Sequence, residues 1–472
     1  MSLKEHLDQQ QLEGLAIEKN LEETPEQAEK KETSRERAAR KRKMAEQNPY
    51  YVAAKLAAKQ REIPPEKRLR RRKSDDFRDV DDMHTAVYFF EDEMRKVKPY
   101  YFEYKSFAKG RWLGRTLLDV FSSEFRDRSE DYYRYAIERG LLTINGNHVT
   151  VDAILKNGDV IGHKIHRHEP PCTDQPIKIV HEDQDLFVVD KPGGMPVHPA
   201  GRYRHNTIVH VLKKERNIPK LYPANRLDLP TSGLMLIARN SARAQKIERE
   251  MSAGLIRKQY VCRVDGKFPD GEITCEAPIK CISHKMSINY VHDEGKASIT
   301  KFERLSFNGK TSVVLCKPLT GRTHQIRVHL RYLGYPISND PLYGNGTSWS
   351  PWMRPGERMV EKDARLLVDK LFEYSPMEEW DDPDSAAAAA PAAAPAVAAN
   401  GSAEELDDTR CQECSASLVF GKNYDQLCIF LHAWKYSCNG WEYETELPFW
   451  AQEDFDEDDA PAKYKNSFIE NK

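Results

Sequence analysis

A low-complexity tract of alanine and proline is the strongest constraint on how this chain folds. The tract spans residues 386–399 and contains Pro391 and Pro395. Such a segment offers almost no side-chain surface to a core, and its composition is typical of a linker. Periodic patterns stop near Asn345 and strand-like order returns at Gln426. The foldable sequence therefore consists of a long block and a short block with the tract between them.

The composition indicates a large folded core with charged ends. The 472 residues exceed one typical domain, and 39% hydrophobic with 10% aromatic residues is enough for at least one large core. The formal net charge is -2, but basic runs dominate the first third of the chain and acidic residues the last part. The overall charge therefore does not identify a partner.

The cysteines and the hydropathy pattern favour a reducing compartment without a membrane span. The nine cysteines are odd in number and scattered, and no secretory signal precedes them. No run approaches the roughly 18 apolar residues of a transmembrane helix. The first residues are rich in glutamate and glutamine, which argues against a mitochondrial transit peptide. We therefore expect the nucleus, the cytoplasm or both, and the mitochondrion is disfavoured.

Residues 1–85 form a charged tail that we expect to be disordered, because they offer too little apolar surface to offset chain ordering. Two basic runs lie in this tail, at 35–43 and 67–73. Each fits a nuclear localisation signal or a loose RNA-binding arm. Each also fits a solvated charged tail that no partner recognises specifically.

Residues 86–172 combine aromatic side chains with cations and a two-helix pattern. Cations and aromatics alternate over 96–112, which favours nucleic-acid binding but is also typical of one face of a strand. Two predicted helices follow. After them come a hairpin with Asn145 and Gly146 at its turn and a further strand over 155–161.

Arg226 and Asp228 lie just before a predicted turn and strand. Turn-forming residues occupy 230–233, and a short apolar strand is predicted over 234–238. Asp228 would then lie on a loop fixed to a rigid element, where catalytic side chains are commonly placed. The same pattern fits an aspartate that stabilises the turn, with Arg226 as its surface partner.

Two further segments place candidate side chains at predicted strands. Lys191 opens a tight loop with two glycines, which suits either the positioning of a neighbouring loop or ordinary turn formation. Tyr260 lies on a strand predicted over 259–264, and a tyrosine in such a place is more often part of a core than a catalyst.

Residues 319–344 contain the start of an amphipathic helix. His324 and Arg327 are three residues apart, so a helix would aim them the same way. Arg327 suits a surface position or a partnership with a carboxylate, which a nearby cation keeps ionised and oriented. A zinc site at His324 and His329 is disfavoured, because a separation of five residues spoils the same-face geometry of i, i+4 ligands. His324 fits better as a hydrogen-bonded residue at the helix start.

Three motifs in this order resemble those of the RluA family of RNA pseudouridine synthases. The first is Arg-Leu-Asp at 226–228 followed by Thr-Ser-Gly, with Asn225 where the family usually has His. The second is the Lys-x-Tyr that ends at Tyr260, and the third is His-Gln-x-Arg at 324–327. Three motifs in order are a more specific signal than any one of them. The departure at Asn225 affects only a supporting contact.

The resemblance implies a role for each matching residue. It implies that Asp228 is the nucleophile, that Arg327 keeps it ionised, and that Tyr260 lies against the target uracil as a candidate for proton transfer. Arg226 would fill or prop open the gap that the extruded uridine leaves in its stack. The other expected substrate-binding residues are Lys191, Arg322, His324 and Gln325.

The resemblance also implies an α+β fold with a defined domain order. Two helices and a hairpin are similar to an S4 RNA-binding domain, which would precede a pseudouridine synthase domain with a mixed, largely antiparallel sheet. The segment after Gln426 resembles the last strands of the family, so an insertion would split the catalytic domain. The expected ranges are 86–172 for the S4-like domain, 173–345 and 409–455 for the catalytic domain, 346–408 for the insertion and 456–472 for an acidic tail.

The implied reaction is the isomerisation of uridine to pseudouridine in a structured RNA, with tRNA or mRNA favoured. It needs neither a redox step nor phosphate activation, so no cofactor is expected. We expect RNA as the partner, no membrane, and a monomer. Two other classes stay open: an RNA-binding protein with a degenerate active site, and a scaffold that acts through its charged tails.

A Cys-x-x-Cys pair, Cys411 and Cys414, follows the linker. It could be half of a zinc site that Cys428, His432 and Cys438 complete. The spacing of these residues is irregular, and Cys428 and His432 lie in a predicted core strand. The sequence therefore favours no metal.

Overall fold

The computed structural model describes residues 86–125, 129–283, 287–344, 355–360, 362–363, 366–367, 411, 427–456 and 460. The charged tail expected over 1–85, the Ala/Pro linker, Cys414 and nearly all of the acidic tail lie outside the described residues. Among the helices that are described, none has both the length and the apolar character needed to cross a membrane.

The first part of the described chain builds a small unit of short strands and two helices. In chain order the elements are β1 (Tyr88–Glu91), β2 (Met94–Val97), β3 (Tyr100–Phe107), α1 (Leu117–Glu124), α2 (Glu130–Glu138), β4 (Leu142–Ile144), β5 (Asn147–His148), β6 (Val160–Arg167) and β7 (Cys172–Thr173). Each helix starts at a hydroxyl cap: Thr116 for α1 and Ser129 for α2 accept a backbone N–H of the first turn.

A four-stranded sheet in the order β3-β6-β4-β5 supports the two helices. The predicted hairpin is confirmed, since Asn145 and Gly146 both have positive φ, as a two-residue turn between twisted strands requires. The strand predicted over 155–161 is wrong in its bounds. Gly158 has a φ of 92°, and the Asp159 carboxylate accepts the N–H of Lys156, so a turn delays β6 to Val160.

The second part contributes most of the strands. In chain order the elements are β8 (Lys178–Glu182), β9 (Leu186–Lys191), α3 (Ile208–Arg216), β10 (Tyr222–Pro223), β11 (Ser232–Ala238), α4 (Ser241–Ser252), β12 (Arg257–Asp265), β13 (Glu272–Cys275), β14 (Ile279–Ser283), β15 (Ile288–Val291), β16 (Thr300–Phe307), β17 (Thr311–Pro318), α5 (Gln325–Leu333), β18 (Leu431–Cys438) and β19 (Trp441–Glu444). The strands predicted over 234–238 and 259–264 are confirmed as β11 and β12.

A ten-stranded sheet dominates this part. Its path is β13-β16-β17-β12-β18-β11-β9-β8, with β10 on β11 and β19 on β18. Its pairs are antiparallel except for β11 with β18, which is parallel. The expected mixed, largely antiparallel sheet is therefore confirmed. The central strand β18 comes from the short block after the linker.

The parallel contact between β11 and β18 depends on Gly233. Its φ is 110°, and a Cβ built on it would lie 2.3 Å from the carbonyl oxygen of Ala433. Only glycine allows the two backbones to approach this closely. The contact sets β18 against β11 at the strand end that follows Asp228.

Two clusters of buried apolar residues fill the second part. One surrounds β12, β17 and α5, and the other surrounds β9, β11 and α3. Tyr260 packs against both clusters. It therefore lies where the two halves of the core meet.

Candidate active site

The loop that carries Asp228 is held from two sides before it enters β11. The carbonyl oxygen of Leu229 accepts a hydrogen bond from Nζ of Lys191 at 3.1 Å. The carbonyl oxygen of Pro230 accepts one from the N–H of Ile429 at 3.1 Å. The glycine-containing loop after β9 and the chain returning from the insertion therefore fix the backbone at Asp228.

Lys191 is completely buried beneath this loop. Its Nζ donates to the carbonyl oxygens of Pro192 at 2.9 Å, Met195 at 2.8 Å and Leu229 at 3.1 Å. Burial lowers the pKa of Lys191 to about 7. All three acceptors are backbone carbonyls, which suits the positioning role that the sequence indicates for this loop. The substrate-binding role implied by the resemblance stays a prediction.

Arg327 lies on α5 between two carboxylates. Its Nε and Nη2 donate to the two carboxylate oxygens of Asp340 at 2.6 and 2.8 Å, and its Nη1 lies 3.5 Å from Oδ2 of Asp228. Burial disfavours the charge of Arg327, but the adjacent Asp340 outweighs it and raises the pKa. A permanently charged guanidinium in a fixed orientation thus faces Asp228.

His324 adds a second contact to the same carboxylate. It is the residue before α5, with a left-handed φ of 56°, and its Nε2 lies 3.6 Å from Oδ2 of Asp228. Its Nδ1 is hydrogen-bonded to the hydroxyl of Tyr343 at 3.0 Å. Burial lowers the pKa of His324 to about 4, so the ring is neutral at neutral pH. The expected hydrogen-bonded residue at the helix start is therefore observed.

Tyr260 projects from β12 into a chain of hydroxyl and amide contacts. Its hydroxyl lies 2.9 Å from that of Tyr436 on β18, and the side-chain N–H of Asn225 donates to the Tyr436 hydroxyl at 3.3 Å. Burial raises the pKa of Tyr260 to about 12, and the charge of Asp228 adds to the rise. At neutral pH the phenol is protonated and can donate.

Asn225 links this chain to the loop of Asp228. Its side-chain oxygen accepts the N–H of Leu236 at 3.0 Å while its N–H reaches Tyr436. The residue that departs from the motif of the resembling family thus joins the loop of Asp228 to β11 and to β18.

The other expected substrate-binding residues differ in exposure. Gln325 is buried, with its side chain bonded to Thr320, to the N–H of Arg322 and to Thr300, and it holds the start of α5. The Nε of Arg322 donates to the carbonyl of Ala297 at 3.1 Å, and the side chain is half-buried. Arg226 is exposed beside Asp228, where a phosphate or a base can reach it.

Three residues of the site were missed by sequence reasoning. Asp340 and Tyr343 lie in the same motif segment as Arg327, and Asp340 binds its guanidinium. The presence of Asp340 after Arg327 in the same motif segment was the sequence signal for their ion pair. Tyr436 left no comparable signal, because its place beside Tyr260 depends on the pairing of β12 with β18.

The histidines and cysteines weighed as metal ligands have other partners here. His329 is buried and bonds Thr300 and the carbonyl of Ala277, each at 2.9 Å. His432 bonds Ser232 at 2.8 Å and Thr445 at 2.6 Å. Within the described ranges, one group of three potential metal ligands occurs, and none of its members belongs to the Asp228 loop or to α5.

The site contains the groups that an enzyme with a carboxylate nucleophile needs. An aspartate on a rigid loop, a buried guanidinium facing it and a protonated phenol nearby can support covalent attack by the carboxylate and proton transfer by the phenol. A family model described as RNA pseudouridylate synthase matches residues 185–332.

Several known proteins are similar to this one over most of the chain, and three of them are described here. Pseudouridylate synthase RPUSD2 of Mus musculus is 40% identical over 418 residues, covering 80% of this chain and 75% of the relative. The mitochondrial tRNA pseudouridine(32) synthase of Saccharomyces cerevisiae is 40% identical over 371 residues, covering 76% and 77%. The tRNA pseudouridine(31) synthase of the same yeast is 34% identical over 405 residues, covering 76% and 96%.

The chain belongs to the RNA pseudouridylate synthases of the RluA type. It is an isomerase that converts uridine to pseudouridine in RNA. The expected family, enzyme class and RNA partner are therefore confirmed.

Proposed function

We propose that the enzyme modifies a tRNA and that Asp228 is the nucleophile. The observation that carries the catalytic assignment is the 3.5 Å approach of the Arg327 guanidinium to the Asp228 carboxylate, with Arg327 itself held by Asp340. Two relatives are named as tRNA pseudouridine synthases, and this supports tRNA over mRNA as the substrate.

In the proposed reaction a uridine leaves its stack, which costs roughly a few kcal/mol, and exposed Arg226 fills or props open the gap. The Asp228 carboxylate attacks C1′ of the ribose, and the bond from C1′ to N1 of uracil breaks. The uracil turns, C5 forms a bond to C1′, and Asp228 is released. The proton of C5 leaves and N1 gains one, so the product is an isomer and no cofactor is consumed.

Tyr260 assists at the base. Its hydroxyl is protonated at neutral pH and lies within reach of the Tyr436 hydroxyl, so the pair can pass a proton to or from the uracil while it turns. Arg322 and His324 are the other side chains that we assign to the substrate. Lys191 and Gln325 act indirectly, by holding the loop of Asp228 and the start of α5.

The unit formed by β3 to β6 and the two helices is an S4-like RNA-binding domain in this proposal. Helix α2 carries Arg134, Arg139 is the C-cap residue that follows it, and Tyr101 and Tyr104 on β3 are exposed. Cations beside aromatic rings bind nucleic acid through phosphates and stacked bases. An Arg139→Ala change should weaken RNA binding and lower the salt slope by about 1, with kcat unchanged.

The remaining expectations belong to the same proposal. The catalytic domain is split into 173–345 and 409–455, and the enzyme is a monomer. It works in the nucleus or the cytoplasm. One relative is named as mitochondrial, so fractionation of cells should include mitochondria.

The test is pseudouridine mapping across all RNAs of cells that lack the enzyme, rescued with wild type or Asp228→Ala. We expect wild type alone to restore a set of tRNA sites. Purified Asp228→Ala should bind the same tRNA with unchanged affinity and form no pseudouridine. An Asp270→Asn variant, which alters a carboxylate that is 83% exposed, is the matched control with normal activity.

Restoration of the same sites by Asp228→Ala would exclude Asp228 as the nucleophile. If wild type restored sites only in mRNA, the enzyme would remain a pseudouridine synthase but the tRNA assignment would fall.

A further inference from the structure

We propose that His166, His168 and Cys411 supply three of the four ligands of a tetrahedral zinc site, with water as the fourth ligand. Their ligand atoms, the imidazole nitrogens and the thiol sulfur, all lie within 4.8 Å of one another. Sγ of Cys411 is 3.6 Å from Nδ1 of His166. The two imidazole rings are nearly perpendicular, with centroids 4.8 Å apart.

The donor set and its spacing suit zinc. Bonds of about 2.0 Å to nitrogen and 2.3 Å to sulfur in a tetrahedron separate ligand atoms by roughly 3.3 to 3.8 Å. The distance between Cys411 and His166 falls in that range. One thiolate and two imidazoles favour zinc over magnesium or calcium, which prefer oxygen ligands. Cys411 would bind as the thiolate, and its proton would pass to solvent.

The fold determines which histidines Cys411 meets. The candidates suggested by the sequence are engaged elsewhere: His432 bonds Ser232 and Thr445, and Cys428 packs against Gly193. Cys411 and His166 are 245 positions apart in the chain. Their meeting is a product of the tertiary structure, which the spacing of the cysteines and histidines in the sequence does not reveal.

The site lies at the junction of the two parts of the protein. Side chains alternate along an extended segment, and His166 and His168 project on the side of Cys411. The residues between and after them bond the second part: Arg167 donates to the carbonyl of Arg202 at 2.7 Å, and the Glu169 carboxylate accepts three backbone N–H groups at 204–206.

A zinc ion would therefore clamp the junction segment from its other side. It would join the end of β6, the connection into β7 and the far end of the insertion. The role is structural, since no ligand belongs to the Asp228 loop, to β12 or to α5. We expect metal loading to change the stability of the junction more than the chemical step.

The experiment uses the full chain, purified without a histidine tag from medium supplemented with zinc chloride. Elemental analysis should find about one zinc per chain in wild type and well under half of that in Cys411→Ser and His168→Asn. The matched control is Cys438→Ser, which removes a thiol from the end of β18 and should retain the zinc.

Cobalt(II) substitution provides a second readout that does not depend on a variant. Wild type loaded with cobalt should show the d–d absorption of a tetrahedral site and a thiolate charge-transfer band. Cys411→His should keep the metal and lose the thiolate band. This variant tests the role of the Cys411 thiolate even if Cys411→Ser fails to fold. Wild type without zinc, cobalt without a thiolate band, or zinc retained by Cys411→Ser would each overturn the proposal.

Discussion

Asp340 accepts two hydrogen bonds from the guanidinium of Arg327, at 2.6 and 2.8 Å, and has no exposed surface. The pairing fixes the plane of the guanidinium, so that the third nitrogen faces Asp228 at 3.5 Å. A buried ion pair thus orients a cation toward Asp228. The position of the charge opposite Asp228 depends on a carboxylate that has no solvent-exposed surface.

We expect Asp340→Asn to lower kcat about 100-fold with KM unchanged, because a small displacement of Arg327 misplaces the charge opposite Asp228. Stability should fall by about 3 kcal/mol, since a buried guanidinium loses its charged partner. Steady-state kinetics and urea unfolding measure the two effects. Lys435→Met removes another buried cation, and it should lower stability without changing kcat.

A Tyr436→Phe variant tests the contact between the two phenols. Loss of a hydrogen bond worth about 1 kcal/mol should lower kcat by about 5-fold, because Tyr260 is no longer held in one orientation. Tyr260→Phe should have a larger effect. The double variant should be no worse than Tyr260→Phe alone, and additive losses would show that Tyr436 acts independently.

A Lys191→Met variant separates positioning from substrate binding. Loss of three contacts to carbonyl oxygens should destabilise the protein by about 1 to 3 kcal/mol and lower kcat through the loop of Asp228. The affinity for tRNA should not change, which a filter-binding assay measures. Weaker binding with normal kcat would instead assign Lys191 to the substrate.

Buried histidines should make stability fall in mild acid. The pKa of His329 is about 4 in the folded protein and 6.5 in the unfolded chain, because burial disfavours the charge. Between these values the unfolded chain binds more protons, so acidification through that window favours unfolding. His324 behaves in the same way. Urea midpoints measured from pH 7.5 to 4.5 should drop more steeply for wild type than for His329→Gln.

Local patterns were enough to predict much of this molecule. The turn at Asn145 and Gly146 and the strands β11 and β12 follow from neighbouring residues, and the structure has them. Asp228, Arg327 and Tyr260 were found because each lies in a short motif. Their approach in space could be expected from the family resemblance but not from spacing.

Long-range pairing explains what the sequence did not reveal. The hydroxyl of Tyr436 reaches that of Tyr260 only because β18 pairs with β12. The residues next to Tyr436 in the sequence do not indicate this pairing. The sequence places Lys191 at a tight glycine-containing loop, but it does not reveal that the loop after β9 folds over the ammonium group. Burial of a charge with complete hydrogen bonding is a tertiary property that composition does not encode.

The central position of β18 affects the order in which the enzyme matures. Its two neighbours, β11 and β12, leave the ribosome before the whole insertion is made, and until β18 follows they have unpaired edges facing each other. The contact at Gly233 and the hydroxyl of Tyr436 are absent from every shorter nascent chain. Competence to modify RNA is therefore acquired late in synthesis, and a product truncated in the Ala/Pro tract would contain Asp228, the proposed nucleophile, but would lack Tyr436 and the strand that carries it.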